Sequence, residues 1–292
     1  MKKFLSSIAM LMLAGTMSFA QTGASPQKPA APATPPPTAA DAPKVAKAPQ
    51  AKTPEEYKAY QTAAAITDPT AAEAAADEFA KKFPESELRV TLYSLILQKA
   101  YDANESARII SLGRKVLAIE PTNPMTLVVM ATAIAETTKE TDLDYAEKSA
   151  EATKLGDEAL KNIDSMLPQP NVAPEQFEGL KGILRSMVYS TKGYMAMNKK
   201  DYANGEVAFQ KAIDANPQQQ DPVLFLRLAV CQEKVKRFAP AIANANKAIQ
   251  AAEAQNNPQV ANLARSERDL VQRMMNTATP AKTPAPTTPP KQ

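Results

Sequence analysis

The sequence contains no histidine, no tryptophan and a single cysteine, Cys231, in 292 residues. Without histidine the chain cannot hold a Ser–His–Asp triad, a histidine metal ligand or the most common general base. One cysteine cannot form an internal disulfide or a cysteine-rich zinc or iron–sulfur site. Only 8 glycines are present, which leaves little room for phosphate-binding loops. We therefore expect no cofactor site and no metal site.

The short motifs that carry chemistry are also scarce. The sequence has no G-x-G-x-x-G, Walker or G-x-S-x-G motif. Ser25 and Lys28 have S-x-x-K spacing, but they lie in a proline-rich stretch without a rigid scaffold that could orient a nucleophile. The acidic run from Glu140 to Asp144 fits either a solvated loop or a weak site for a divalent cation. We predict that the protein is not an enzyme and has no catalytic residues.

The charge is unevenly distributed along the chain. The net charge of +3 combines +2 in residues 1–20, +3 in residues 21–52 and +2 in residues 278–292, so residues 53–277 carry −4. A nucleic-acid-binding domain would show a basic stripe on its folded part. A mildly acidic body with thin basic tails therefore argues against a nucleic-acid partner.

The amino terminus has the pattern of a secretory signal peptide. A basic start is followed by an apolar stretch from Phe4 to Phe19 and by a small-x-small cleavage signal that ends at Ala20. The alternative is an uncleaved membrane anchor, for which the stretch is short and is interrupted by polar and small residues. No later apolar run is long enough to span a bilayer. We expect cleavage after residue 20 and an exported protein, periplasmic or secreted.

Two flanking stretches are rich in proline, alanine, threonine and lysine. Residues 21–52 and 278–292 cannot bury enough apolar surface to offset the entropy of ordering. We predict that both are disordered tails that act as spacers. The alternative is a loose cationic tether to an anionic envelope polymer.

The stretch 186–219 carries aromatic, small and proline residues at fixed spacing. They are Tyr189, Gly193, Tyr202, Phe209, Ala212 and Pro217. This pattern resembles the tetratricopeptide repeat (TPR), a 34-residue helix pair. Position 20 of the repeat is usually alanine and here is Gly205. Small residues let paired helices approach closely, and large residues fill the flanking holes.

The resemblance continues on both sides of this unit. Residues 222–255 match at Phe225, Leu228, Ala229, Phe238, Ala241 and Ala248, without a closing proline. Weaker units occupy 53–87, 90–123 and 124–167, the last with an insertion near 137–145. A final amphipathic helix is predicted over 258–276. Residues 53–277 are thus predicted to be all-α, an α-solenoid of about five TPR-like helix pairs with a C-terminal capping helix.

The resemblance implies a concave groove lined by the first helix of each pair. The candidate residues are Tyr101, Val128, Thr132, Met187, Ser190, Tyr194, Met197, Asn198, Leu226 and Val230. Chaperone-binding TPRs clamp a terminal carboxylate with lysine and asparagine, where this chain has Ser190 and Tyr194. The groove instead suits an apolar or amphipathic helix, or a neutral extended peptide. Alternatively, the chain's own segment 164–185, expected to be extended, fills part of the groove.

These features together predict an exported, non-catalytic TPR scaffold. Its partner would be a protein or peptide, such as an envelope or secreted protein. The alternative is a structural envelope organiser, tethered by its cationic tails to wall or membrane polymer. Cys231 falls within a helix, where we expect a small buried core residue. A disulfide with a partner or a redox role is the other possibility.

Overall fold

The structure is a computed structural model that describes residues 46–168 and 172–278. Within these residues all regular secondary structure is α-helical, with eleven helices and no strand. This confirms the prediction of an all-α fold. The helices are α1 (Pro54–Ala64), α2 (Pro69–Lys82), α3 (Leu88–Asp102), α4 (Ser106–Ile119), α5 (Pro124–Thr137), α6 (Tyr145–Ile163), α7 (Pro174–Asn198), α8 (Tyr202–Ala215), α9 (Pro222–Lys234), α10 (Phe238–Ala254) and α11 (Pro258–Ala278).

The chain divides into two compact units. Of the described residues, the first unit contains those up to Thr137 and those within Lys154–Leu184, and the second contains Thr138–Thr153 and those from Arg185 to residue 278. Within the first unit, α1 to α4 each pack on the next helix, and α1 also packs on α3. Within the second unit, α8 to α11 do the same, and α9 also packs on α11. Packing on the next helix and the next but one is typical of stacked helical repeats.

A polar residue followed by proline starts five of the helices. In each case the side-chain oxygen of the polar residue accepts a backbone N–H of the first helical turn. Proline is well tolerated at the next position because the N–H it lacks would have no partner within the helix. The five pairs are Thr53-Pro54, Asp68-Pro69, Asn123-Pro124, Asp221-Pro222 and Asn257-Pro258.

One turn geometry recurs at the ends of four helices, namely α3, α7, α9 and α10. A non-glycine residue with φ between 51° and 63° follows each helix, and the next N–H donates to the carbonyl five residues earlier at 2.8 or 2.9 Å. This is the Schellman motif, which satisfies the last carbonyls of a helix. The left-handed residues are Asn104, Lys200, Lys236 and Asn256. Lys200 and Lys236 repeat the geometry at the 36-residue step between the two clear units.

A second turn, built on proline, follows the second helix of three pairs. Phe83, Glu120 and Asn216 leave the helical region, with ψ between 67° and 82°, and each is followed by proline. The carbonyl of each accepts the N–H of the residue three later at 3.1 Å. Proline disfavours helical geometry in the residue before it, so it ends the helix there. This confirms that Pro217 and its counterparts punctuate the repeat.

The structure corrects one prediction about the middle of the chain. Residues 164–185 were expected to be extended because they contain three prolines, yet α7 begins at Pro174 and runs for 25 residues. Pro174 stands in the first position, where proline favours a helix. The segment therefore cannot fill a groove as an extended strap over its whole length. The capping helix, in contrast, is confirmed as α11.

Candidate functional site

Two glycines bring α7, α8 and α9 of the second unit close together. A Cβ atom on Gly193 of α7 would lie 2.8 Å from two ring carbons of Phe209, which is on α8 and completely buried. A Cβ atom on Gly205 of α8 would lie 2.9 Å from Sγ of Cys231 on α9 and 3.6 Å from the carbonyl oxygen of Gly193. Both distances to the neighbouring side chains are shorter than van der Waals contact, about 3.5–4.0 Å between carbons. The small residues of the repeat pattern are therefore required for this packing.

A hydrophobic cluster lies beneath the candidate surface. It consists of Phe209, Ala212, Leu224, Leu228 and Cys231, all buried. Burial in this cluster and the nearby carboxylate of Glu206 raise the pKa of the Cys231 thiol to about 12. The prediction that Cys231 is a buried core residue is confirmed. Such a thiol is protonated at neutral pH and is a poor nucleophile.

Seven predicted groove residues fall on one pair of helices above this cluster, and we call them the α7/α9 face. Each is partly exposed, neither buried in the core nor fully solvated. Tyr194 and Met197 pack with their inner atoms on the cluster below, and Leu226 packs on a second cluster around Phe225. The face thus has a rigid base and an accessible surface. Its members are Met187, Ser190, Tyr194, Met197, Asn198, Leu226 and Val230.

Arg227 joins this face, although the repeat pattern did not select it. Its guanidinium carbon lies 5.0 Å from the centroid of the Tyr194 ring, which is the geometry of a cation–π contact. Arg227 follows Leu226 directly on α9, and the contact joins α9 to α7. No residue spacing predicts this pair, because the contact depends on how the two helices cross.

A buried polar network lies farther along α8, α9 and α10. The Glu206 carboxylate accepts hydrogen bonds from Gln232 at 3.1 Å and from Arg237, and the Gln232 side-chain oxygen accepts one from Asn244 at 2.9 Å. Gln232 and Asn244 are both buried. Since each carbonyl and carboxylate named here has a donor, the network holds the three helices in register.

Beside this network, Lys234 lies near the carboxylates of Glu233 and Glu267. Lys234 pairs with the buried carboxylate of Glu233 at 2.9 Å, while Oε1 of Glu267 on α11 is buried without a hydrogen bond. Burial and the nearby Glu233 raise the pKa of Glu267 above its ordinary range. The positive charge of Lys234 is therefore compensated within the protein.

The three predicted residues of the first unit do not form a comparable surface. Val128 is completely buried, so its side chain belongs to the core and the prediction that it lines a groove is wrong. The reason is that nine residues of α5 are buried, which leaves the helix no exposed apolar face. Tyr101 and Thr132 remain partly exposed. Burial and the carboxylate of Glu136 raise the pKa of Tyr101 to about 12.

An ion-pair network joins α2, α3 and α4 in the first unit. The ammonium group of Lys115 contacts Glu73 at 2.9 Å and Asp77 at 2.8 Å, and the Tyr93 hydroxyl donates to Asp77 at 2.8 Å. Burial opposes ionisation of Asp77, but the hydrogen bonds from Lys115 and Tyr93 outweigh it and lower the pKa of Asp77. The charges satisfy one another, so the network is structural.

The predicted insertion forms the loop 138–144 between α5 and α6. Asp142 accepts the backbone N–H of Lys139 at 2.9 Å, and Asp144 pairs with Lys148 at 2.9 Å. Among residues 46–168 and 172–278, no group of three acidic or cysteine side chains is arranged to hold a metal ion. Leu143 is fully exposed at the tip of this loop.

Several predictions concern residues outside the described ranges. They are the signal peptide over 1–20, the Ser25–Lys28 spacing, and the tail residues 21–45 and 279–292. Of the amino-terminal tail, residues 46–52 are described, and Ala46 donates its N–H to the carbonyl of Pro168 at 2.9 Å. The tether function of the tails stays a prediction. No helix in the described part of the chain has the length and apolar character needed to cross a bilayer.

Comparison with known proteins adds little. No protein-family model matches the chain, and no curated protein matches it. Six chains among the solved structures match. One is titled "Crystal structure of MamA protein"; it is 18% identical, with a TM-score of 0.36, and the match covers 65% of this chain and 89% of that one. A likeness this low supports no argument, so the description of the fold rests on the helices and turns above.

Proposed function

We propose that the chain is an exported, non-catalytic scaffold that binds a protein or peptide partner through the α7/α9 face, within the concave groove of a TPR-like array. The supporting observation is the face itself. Apolar and aromatic side chains are held partly exposed there on a buried cluster, and two close glycine contacts fix the helices that carry them. Binding energy is concentrated where aromatic and aliphatic side chains are exposed on a preorganised base.

The shape and chemistry of the face favour an amphipathic helix as the bound element. Along α7, Tyr194 lies seven residues after Met187, and Met197 lies three residues after Tyr194. Along α9, Val230 lies four residues after Leu226. Two neighbouring rows at helical spacing, joined by the contact of Arg227 with Tyr194, form a surface that the apolar stripe of another helix can contact. Ser190 and Asn198 lie in the same row of α7, at three- and four-residue steps, and offer polar contacts there.

The experiment blocks the face without disturbing the core beneath it. Ser190 and Val230 are partly exposed and belong to neither cluster described above. The double variant Ser190→Arg, Val230→Arg should fold normally by circular dichroism and lose partners that co-purify with the tagged wild type. Val207→Arg, on the exposed side of α8, is the matched control and should retain them. Full recovery of the same partners by the folded double variant would exclude this face.

Export is a further part of the proposal and is tested separately. The leader pattern supports cleavage after residue 20. N-terminal sequencing of the protein isolated from its host should begin at Gln21. A mature protein that begins at Met1 and fractionates with the cytoplasm would contradict export but leave the binding face untouched.

A further inference from the structure

Arg227 has no acidic partner among residues 46–168 and 172–278. Other half-buried or exposed arginines are paired, for example Arg108 with Glu105 at 2.8 Å and Arg237 with Glu206. Among the described residues, Arg227 forms no ion pair, and its contact is the ring of Tyr194. Arg227 is partly buried as a residue, and one face of its guanidinium lies against the Tyr194 ring, which excludes water from that face. A partly desolvated, unpaired charge is costly unless a ligand supplies the counter-charge.

Other cation–aromatic contacts in the protein show the contrast. Lys115 lies over Tyr93 and also contacts Asp77 and Glu73, and Lys181 lies over Phe177 and pairs with Glu178. In those contacts the cation already has its carboxylate. Two further lysines, Lys211 over Tyr189 and Lys247 over Phe225, are not ion-paired but are exposed to water. Arg227 is both shielded on one face and unpaired.

The geometry leaves the hydrogen-bonding edge of Arg227 available. A guanidinium group has five N–H donors in its plane, and contact of the group with an aromatic ring uses no donor. A carboxylate is the acceptor that fits this edge with two parallel hydrogen bonds. Contact with Tyr194 also restricts the rotamers of the arginine, which lowers the entropy lost on binding.

The neighbours of Arg227 define what else the ligand must carry. Leu226 precedes it and Val230 lies one turn later, while Lys234 farther along α9 is neutralised by Glu233. The ligand that fits therefore combines one acidic group with apolar groups about one helical turn away. Residues 53–277 carry −4 overall, so an acidic partner would be attracted to this point rather than to the body in general.

We propose that Arg227, held against Tyr194, binds the carboxylate of an aspartate or glutamate side chain on the amphipathic helix of a partner protein, whose apolar residues pack on the α7/α9 face. The inference rests on the proposed function, because it names the chemistry of the partner for the same face. It commits to a side-chain carboxylate rather than a chain terminus, because the positions that would clamp a terminus hold Ser190 and Tyr194.

The test begins with random 16-residue peptides displayed on phage and selected on the purified full chain. Competition by the Ser190→Arg, Val230→Arg variant removes peptides that bind elsewhere. The selected peptides should share an acidic residue about one turn from apolar residues. Selection on the Arg227→Gln variant should lose the acidic residue and keep the apolar ones. Absence of an acidic preference on the wild type would overturn the proposal.

Affinity measurements then locate the contact. The best peptide is synthesised in two forms, both with an amidated C-terminus. The acidic form keeps its acidic residue, and the amide form has Gln or Asn in that place. Binding of each form is measured by fluorescence anisotropy. The wild type should bind the acidic form about 10- to 100-fold more tightly, as expected for a charge-assisted hydrogen bond. Arg227→Gln should abolish the difference, whereas Arg273→Gln, at an exposed arginine of α11 without an ion pair, should preserve it.

The outcomes separate the two proposals. Equal binding of the acidic and amide peptides, or an acidic preference that survives Arg227→Gln, would overturn the role of Arg227 and leave the docking face intact. If the acidic peptide binds with a free C-terminus but not with an amidated one, a chain terminus is the ligand. That result would also overturn the role of Arg227. If every selected peptide also binds the Ser190→Arg, Val230→Arg variant, the peptides bind elsewhere on the protein. That result would count against the α7/α9 face and also against the role of Arg227.

Discussion

Replacing Gly193 by alanine tests the close packing of α7 on α8. The gain in helix propensity from Gly→Ala is about 1 kcal/mol in a helix interior. Against it, the new Cβ would lie 2.8 Å from the Phe209 ring, so the ring would have to retreat by about 0.7 Å to reach normal contact. Phe209 is completely buried and packed in a cluster of buried side chains, so its ring can retreat only by displacing its neighbours. Overpacking of this kind costs about 1–3 kcal/mol, so after the propensity gain of about 1 kcal/mol we expect a net loss of up to about 2 kcal/mol in the free energy of unfolding.

Gly179 on the same helix provides the matched control. An added Cβ there has no atom within 4 Å, so Gly179→Ala should stabilise the protein by up to about 1 kcal/mol through propensity alone. Urea unfolding followed by far-UV circular dichroism measures both variants, since the chain has no tryptophan for fluorescence. The reasoning is refuted if Gly193→Ala is as stable as Gly179→Ala.

A double-mutant cycle assigns the effect to the ring. Phe209→Leu removes ring atoms that the new methyl group would overlap. Because the two positions are in contact, the cost of Gly193→Ala should fall by about 0.5 kcal/mol or more in the Phe209→Leu background. Additive losses would mean that the glycine acts elsewhere.

Three other predictions concern turns, the thiol and the ion-pair network. Lys200 has φ of 58°, so Lys200→Gly should raise the free energy of unfolding by about 0.5–1 kcal/mol, while Lys199→Gly, outside the left-handed region, should lower it. The raised pKa of Cys231 keeps the thiol protonated, so at pH 8 it should react with Ellman's reagent only after unfolding; prompt reaction of the native protein would contradict its burial. Asp77 has a lowered pKa, so its pairing with Lys115 stabilises the fold fully above its ordinary value of 3.8 and less as the pH falls further. Asp77→Asn should therefore cost up to about 1 kcal/mol at pH 7 and less at pH 2, as measured by urea titration; equal losses at both would contradict this.

The repeat pattern predicted the fold because it encodes local contacts. Gly193, Phe209 and Pro217 each act within one helix pair, at fixed spacings along the chain, so their positions alone indicate where the helices meet and end. Pro174 was misread for a related reason. Proline both starts and ends helices, and its sequence neighbours did not distinguish the two roles.

The candidate surface was only partly predictable. Position in the repeat selected Tyr194 and Leu226, which are partly exposed in the structure, but Val128 occupies an equivalent kind of position and is buried. Burial depends on what else surrounds a helix, and α5 is apolar around most of its circumference. Arg227 was missed because its significance comes from a contact with another helix and from the lack of an ion pair. Neither property is visible in the spacing of residues along the chain.

The most direct test of the docking face is site-specific photocrosslinking in the native host. A photoreactive phenylalanine analogue at Val230, on the α7/α9 face, should capture one or a few defined proteins. The same analogue at Val207, on the exposed side of α8, should not capture them. Crosslinking of the same proteins from Val207 with equal yield, or no crosslink from Val230 under conditions where the partner co-purifies with the wild type, would contradict the account.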